Sequence, residues 1–246
     1  MRKRNGMAGL GTLINVAGIL AGGLCGLLFG KKMEGRYQDN LMMANGLCVL
    51  FLGIAGAMEK MLAIESGSLK SGSTMMLIGS LAIGALAGEW VNLEKHMESF
   101  GIWLKQKTRS EGDAGFVDGF VSASLTVCIG AMAVVGAIQD GIYGDYSILA
   151  AKAAMDLIIV MVMTASMGKG CLFSAIPVAV FQGAVTMLAR LVEPLMTKTA
   201  LDNLSLVGSV LIFCVGLNLV WGKKVRVANM LPSVLVAGIW AFLPLP

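Results

Sequence analysis

Gly11-Thr-Leu-Ile-Asn-Val-Ala-Gly-Ile-Leu-Ala-Gly-Gly-Leu-Cys-Gly-Leu-Leu-Phe-Gly30 contains no charged residue. A helix needs about 20 such residues to cross the ~30 Å hydrocarbon core of a bilayer. The stretch is therefore a membrane span, and the rest of the chain repeats its character. Hydrophobic residues make up 57% of the 246, charged residues 14%, and the mean hydropathy is +0.79. A soluble domain is nearer 45–50% apolar with about 25% charged residues. The excess is gathered into long apolar runs between short charged loops, which predicts an all-α, polytopic transmembrane helical bundle.

Eight runs qualify, at about residues 9–30, 41–62, 74–92, 116–138, 149–168, 171–191, 203–221 and 229–245. The last is short and carries Pro232, Pro244 and Pro246, so seven spans is the second expectation. Only Gly168-Lys-Gly170 separates the fifth and sixth, which leaves a re-entrant pair open. The basic leader Arg2-Lys-Arg4 resembles that of a signal peptide, but no clear cleavage site followed by a soluble domain comes after it, and the first run is expected to stay as a span. Arg36, Lys95, Lys105, Lys107, Arg109, Lys169, Lys223, Lys224 and Arg226, with Lys31 and Lys32, fall in loops of one face. Lys60, Lys70, Lys152 and Lys198, with the leader, fall on the other. The excess of basic loops places the first set inside. The polar segment 93–115 has apolar residues near helical spacing and a Trp103 anchor, as in an amphipathic helix on the membrane surface.

Three apolar hairpins share a pattern, a small residue seven positions before a glycine: Gly46 and Gly53, Ala123 and Gly130, Ser209 and Gly216. The chain then divides into an N-terminal hairpin (9–62) and two three-helix repeats (74–168 and 171–245), within a single transmembrane domain over 1–246. Three is odd, so the repeats would be inverted, an arrangement found in secondary transporters. Gly18, Gly22, Gly26 and Gly30 form a small-residue stripe at every fourth position. Such stripes join helices closely, within one chain or between copies, and a homo-oligomer through this stripe is expected.

Candidate functional residues are the polar groups inside the runs, because each is expensive in hydrocarbon. Asp156 stands one turn into the fifth run, four residues after Lys152; it is the leading candidate for a functional carboxylate, with a surface ion pair to Lys152 as the equal alternative. Gln182 lies mid-span in the sixth run, Asn15 in the first, Ser124 in the fourth, and Asn229 opens the eighth. Polar side chains of this kind also serve as glue between helices. Pro177 and Pro232 predict broken helices near Gln182 and Asn229, whose freed carbonyls could meet a solute.

Several function classes find no support. The net charge of +4 sits at the ends of apolar runs and forms no nucleic-acid footprint. The five cysteines make no C-x-x-C pair, and no cofactor is indicated. His96 is the sole histidine, and no H-E-x-x-H or G-x-S-x-G motif occurs, so no enzyme activity is expected.

Four blocks in order, Gly11-Thr-Leu-Ile-Asn15, Gly119-Phe-Val-Ser-Ala-Ser-Leu125 with Gln139-Asp-Gly141, Ser174-Ala-Ile-Pro-Val178 with Gln182-Gly183, and Val227-Ala-Asn-Met-Leu-Pro232, resemble the bacterial membrane family called domain of unknown function 554. The resemblance covers nearly the whole chain. It implies a multi-spanning protein of the bacterial inner (plasma) membrane and supplies no substrate. The expected function is a secondary transporter or channel for an ion or small polar solute, with Asn15, Ser124, Asp156, Gln182 and Asn229 along its path and Asp156 binding a cation or proton. The alternative is a membrane scaffold or sensor subunit.

Overall fold

A computed structural model describes residues 8–30, 33–65 and 68–243. The expectations placed on Arg2–Arg4, Lys31, Lys32, Pro244 and Pro246 lie outside them. The described chain is helical almost throughout. Its helices are α1 (Leu10–Gly30), α2 (Gly35–Met61), α3 (Thr74–Val91), α4 (Leu93–Lys107), α5 (Phe116–Cys128), α6 (Ala131–Tyr143), α7 (Ser147–Met167), α8 (Ala175–Met187), α9 (Ala189–Val192), α10 (Lys198–Trp221) and α11 (Pro232–Trp240). A short antiparallel hairpin, β1 (Leu62–Glu65) with β2 (Ser68–Ser71), joins α2 to α3. Six helical segments among the described residues are long and apolar enough to cross a membrane, or seven if α5 and α6 form one bent span. The eighth expected span is shorter, a 3-10 turn at Val227–Met230 leading into α11. The expected amphipathic segment is α4.

The chain forms two compact units that interleave in sequence. The first holds residues up to Asn45, then Met97–Cys128 and Met132–Pro194. The second holds Gly46–His96, Ile129–Ala131 and the residues from Leu195 onward. Both units thus draw helices from either side of residues 168–171, where the sequence divides its repeats.

In the first unit α1 lies parallel to α7. The glycine stripe makes this contact: a Cβ at Gly22 would strike the Leu157 carbonyl oxygen, and one at Gly26 the Met161 carbonyl oxygen. Gly18 faces Ala153 and Gly30 faces Ala165 in the same way. Backbone meeting backbone gives dispersion contact along the whole seam, which is how small residues join helices in lipid. This corrects one expectation. The stripe is filled by α7 of the same chain and is not a surface for a second copy.

Three helix boundaries also differ from the sequence reading. The fourth run does not form one continuous helix: α5 stops at Cys128, and α6 resumes at Ala131 at 62° to it. Gly130 makes the break with φ +145°, a conformation L side chains rarely adopt. Pro177 lies within the candidate span Lys169–Met187, where a 3-10 turn gives way to α-helix. It sits in the first turn of α8, just after the 3-10 turn Lys169–Ser174, where its missing N–H costs least. Pro232 opens α11 for the same reason.

In the second unit α3 lies against the C-terminal segment, with Gly84 at Ser233 and Gly88 at Asn229. Helices α2 and α10 meet where Gly53 faces Phe213 and Gly56 faces Ser209. Met76, Leu206, Val207 and Ala237 form the buried apolar centre of this unit.

Candidate functional site

The interior of the first unit is a run of polar side chains on apolar helices. Four levels follow α1. At its start, Oδ2 of Asp140, from α6, accepts the Gly11 N–H at 3.0 Å. A carboxylate there meets the positive end of the helix dipole and one of its unpaired amides. Asp140 is fully buried, and the sequence pattern gave no reason to single it out. One residue on, Thr12 and Thr186 lie hydroxyl to hydroxyl at 3.4 Å. One turn further, Asn15 Nδ2 donates to Gln182 Oε1 at 3.2 Å. Both amides are 0% exposed, and they come from positions 167 residues apart.

The fourth level carries the charges. Lys152 Nζ donates to both oxygens of Asp156, each at 2.8 Å. The pair is buried, Lys152 at 7% and Asp156 at 3% exposure. The surface ion pair anticipated from the i, i+4 spacing is therefore an internal one, and Lys152 leaves the set of loop charges on the outer face. Its neighbours are polar as well: the Asn15 side chain also reaches the Asp156 carboxylate. Cys128, the last residue of α5 before the break, lies within electrostatic range of Lys152 and Asp156.

A buried ion pair costs several kcal/mol per ion in desolvation, which only good geometry and further hydrogen bonds offset. Here the geometry is good, yet the surrounding hydrogen bonds are incomplete. Asn15 Oδ1, Gln182 Nε2, Asp140 Oδ1 and the hydroxyls of Ser124 and Thr164 are buried with no partner in the protein. An unmet buried donor or acceptor costs about 1–3 kcal/mol, so each calls for an explanation.

The buried face of α7 carries Lys152, Asp156, Val160 and Thr164 at intervals of one turn. Thr164 lies about 12 Å from Asp156 along the axis, at 1.5 Å per residue. There the face meets a cavity of about 750 Å³ lined by Gln38, Arg109, Asp113, Asp118, Thr164 and Lys169, among others. Asp113 shapes its wall by accepting the Lys169 N–H at 2.9 Å, where α7 ends. Polar groups thus lie at the start of α1 and around Asp156, and the buried Val160 separates them from the cavity at the end of α7.

Of the five residues expected along the path, the structure brings Asn15, Asp156 and Gln182 together and buries Ser124 on α5 in the same unit. Asn229 belongs to the second unit. Its Oδ1 accepts the Glu94 N–H at 2.7 Å, and its Nδ2 donates to Glu89 at 2.6 Å. Glu94 in turn accepts the Ala228 N–H at 3.0 Å and pairs with Lys223 at 2.8 Å, while Arg226 pairs with Glu89. The Asn229 amide is a latch that ties α3, α4 and the 3-10 turn Val227–Met230. Among the described residues no three His, Cys, Asp or Glu side chains gather to hold a metal ion.

Apolar helices long enough to span, with polar side chains turned inward and glycine seams between backbones, define a polytopic α-helical membrane protein. The chain belongs to the family described as Protein of unknown function (DUF554), whose model matches residues 10–242. It is similar to the uncharacterized membrane protein YdfK of Bacillus subtilis (strain 168), at 29% identity over 94% of this chain and 95% of the relative. It is also similar to the uncharacterized protein YqgA of Escherichia coli (strain K12), at 28% identity over 93% and 94% of the two chains. No solved structure matches it.

Proposed function

We propose that the protein is a small secondary transporter or channel of the bacterial inner (plasma) membrane, moving an ion or small polar solute through the first unit. The observation that carries this reading is the buried Lys152–Asp156 pair with unpartnered amide atoms of Asn15 and Gln182 close by. A purely structural membrane core gains nothing from paired charges that leave neighbouring polar atoms unmet. The broken helix that ends at Cys128 supports the same reading, since interrupted spans at membrane depth belong where protein or water meets their freed backbone groups. The cavity at Thr164 opens an approach from one end of α7. A scaffold reading rested on the glycine stripe, and α7 occupies that stripe. The protein acts without enzymatic chemistry on this account.

Flux into proteoliposomes tests the reading. Purified protein is expected to move Na⁺, K⁺ or protons faster than empty liposomes, and Asp156→Asn to abolish the difference. Wild-type protein that moves none of the three, and no small polar solute in the same assay, would overturn it.

A further inference from the structure

We infer that Asp156 is a binding site for a monovalent metal cation, and that Lys152 is its tethered competitor, occupying the carboxylate when the cation is absent. The inference deepens the transport reading by naming its substrate class. It rests on charge balance, on the hydrogen-bond inventory of two amides, and on the position of the lysine.

Charge comes first. Lys152 and Asp156 together are neutral, and so is Asp156 with one alkali cation. Both cations at once would leave a net positive charge in a site that is 93% or more buried, which is costly. One carboxylate with neutral oxygens for company suits a singly charged ion, whereas a divalent ion would leave an excess charge.

The amides supply the second argument. With Lys152 in place, Asn15 Nδ2 donates to Gln182 Oε1 and reaches Asp156, while Asn15 Oδ1 and Gln182 Nε2 have no partner. A half-turn of both amides exchanges oxygen and nitrogen at nearly constant shape. Gln182 Nε2 then donates to Asn15 Oδ1, so the link between the two residues survives. Asn15 now turns an oxygen toward Asp156. Two oxygens side by side repel each other, unless a cation stands between them. The pair therefore has one arrangement suited to the lysine and another suited to a metal ion. Gln182 meets both arrangements because its amide carries an acceptor on one side and a donor on the other.

The ammonium also has an exit route. Lys152 stands in the second turn of α7, close to the helix start at Ser147. A long flexible stem lets a lysine there carry its head toward the membrane boundary.

Equilibrium binding of ²²Na⁺ and ⁸⁶Rb⁺ to the purified full chain in choline buffer tests the inference without any flux. Lys152→Met removes the competitor and is expected to bind at least one of the two ions at least tenfold more tightly than wild type. Asp156→Asn is expected to bind neither. Asn15→Leu, added to Lys152→Met, is expected to weaken binding at least tenfold. Lys152→Met that binds no more tightly than wild type, or Asp156→Asn that still binds, would overturn the inference. If Lys152→Met is unstable in choline, Na⁺ or Rb⁺ must raise its unfolding temperature; failure of both ions to do so counts against the site. Cation binding without flux would leave this site standing and remove the transport reading. Flux that survives Asp156→Asn would leave transport standing and remove the site.

Discussion

The two units each hold acids, bases and an asparagine, and they use them differently. In the second unit Glu89, Glu94, Asn229, Lys223 and Arg226 form a cluster in which both atoms of the Asn229 amide are bonded. Arg226 is 65% exposed and Glu89 52%, so water shares the charge. In the first unit the Lys152–Asp156 pair is 9% and 4% exposed by side chain, and each of the nearby amides keeps one atom unmet. The cluster of the second unit is complete and fastens backbone segments. That of the first unit is buried and leaves polar atoms unmet, which is why we propose a ligand there. Saturation of hydrogen bonds, more than the presence of charge, separates the two.

Substitutions in the two clusters should separate them. The largest effect is expected at Lys152. Lys152→Met strands a buried carboxylate, and in choline-only buffer the protein should lose about 3–5 kcal/mol of unfolding free energy, measured by denaturant titration in detergent. Equal stability with and without the lysine would show that the pair is wetter than its burial implies. Glu94→Ala comes next. It leaves the buried Ala228 N–H without its acceptor and should cost about 1–3 kcal/mol, with no change in cation binding. Altered cation binding in this variant would erase the distinction between latch and site. Arg226→Ala removes half of an exposed pair and should change stability by at most about 1 kcal/mol. A larger loss would show that the second cluster depends on its charges as well as on its backbone bonds.

Much of the membrane architecture is legible in the sequence, because apolar length is what a bilayer demands of a helix. The run at 9–30 became Leu10–Gly30, that at 74–92 became Thr74–Val91, and that at 149–168 became Ser147–Met167. The break at Gly130 was hidden because Ile129, Gly130 and Ala131 are as apolar as the helices beside them. Hydropathy registers the run and is blind to a change of direction within it. The prolines misled for a related reason: Pro177 is costly within a helix and harmless in its first turn, and the 3-10 turn that makes the difference has no hydropathy signature.

The site was half visible. Asp156, Asn15 and Gln182 stand out because a polar residue in an apolar run is conspicuous. Lys152 did not, since a lysine near the end of a run ordinarily snorkels to the interface. Its burial follows from packing against α1 and α5, which no local pattern records. Asp140 lies between Gln139 and Gly141, just past the end of the run at 116–138, and its partner is the start of a helix 129 residues away. The glycine stripe marked a close contact and left its partner open, because periodicity shows that a helix is met closely without showing by what; α7 is that partner.

Ion flux by the double variant Lys152→Met with Asp156→Asn tests the central claim most directly. Replacing both members of a buried pair with neutral groups of similar volume is often tolerated, so this protein should fold and insert as the wild type does. The account predicts that it moves no Na⁺, K⁺ or protons above the rate of empty liposomes. Wild-type flux from a folded double variant would contradict it.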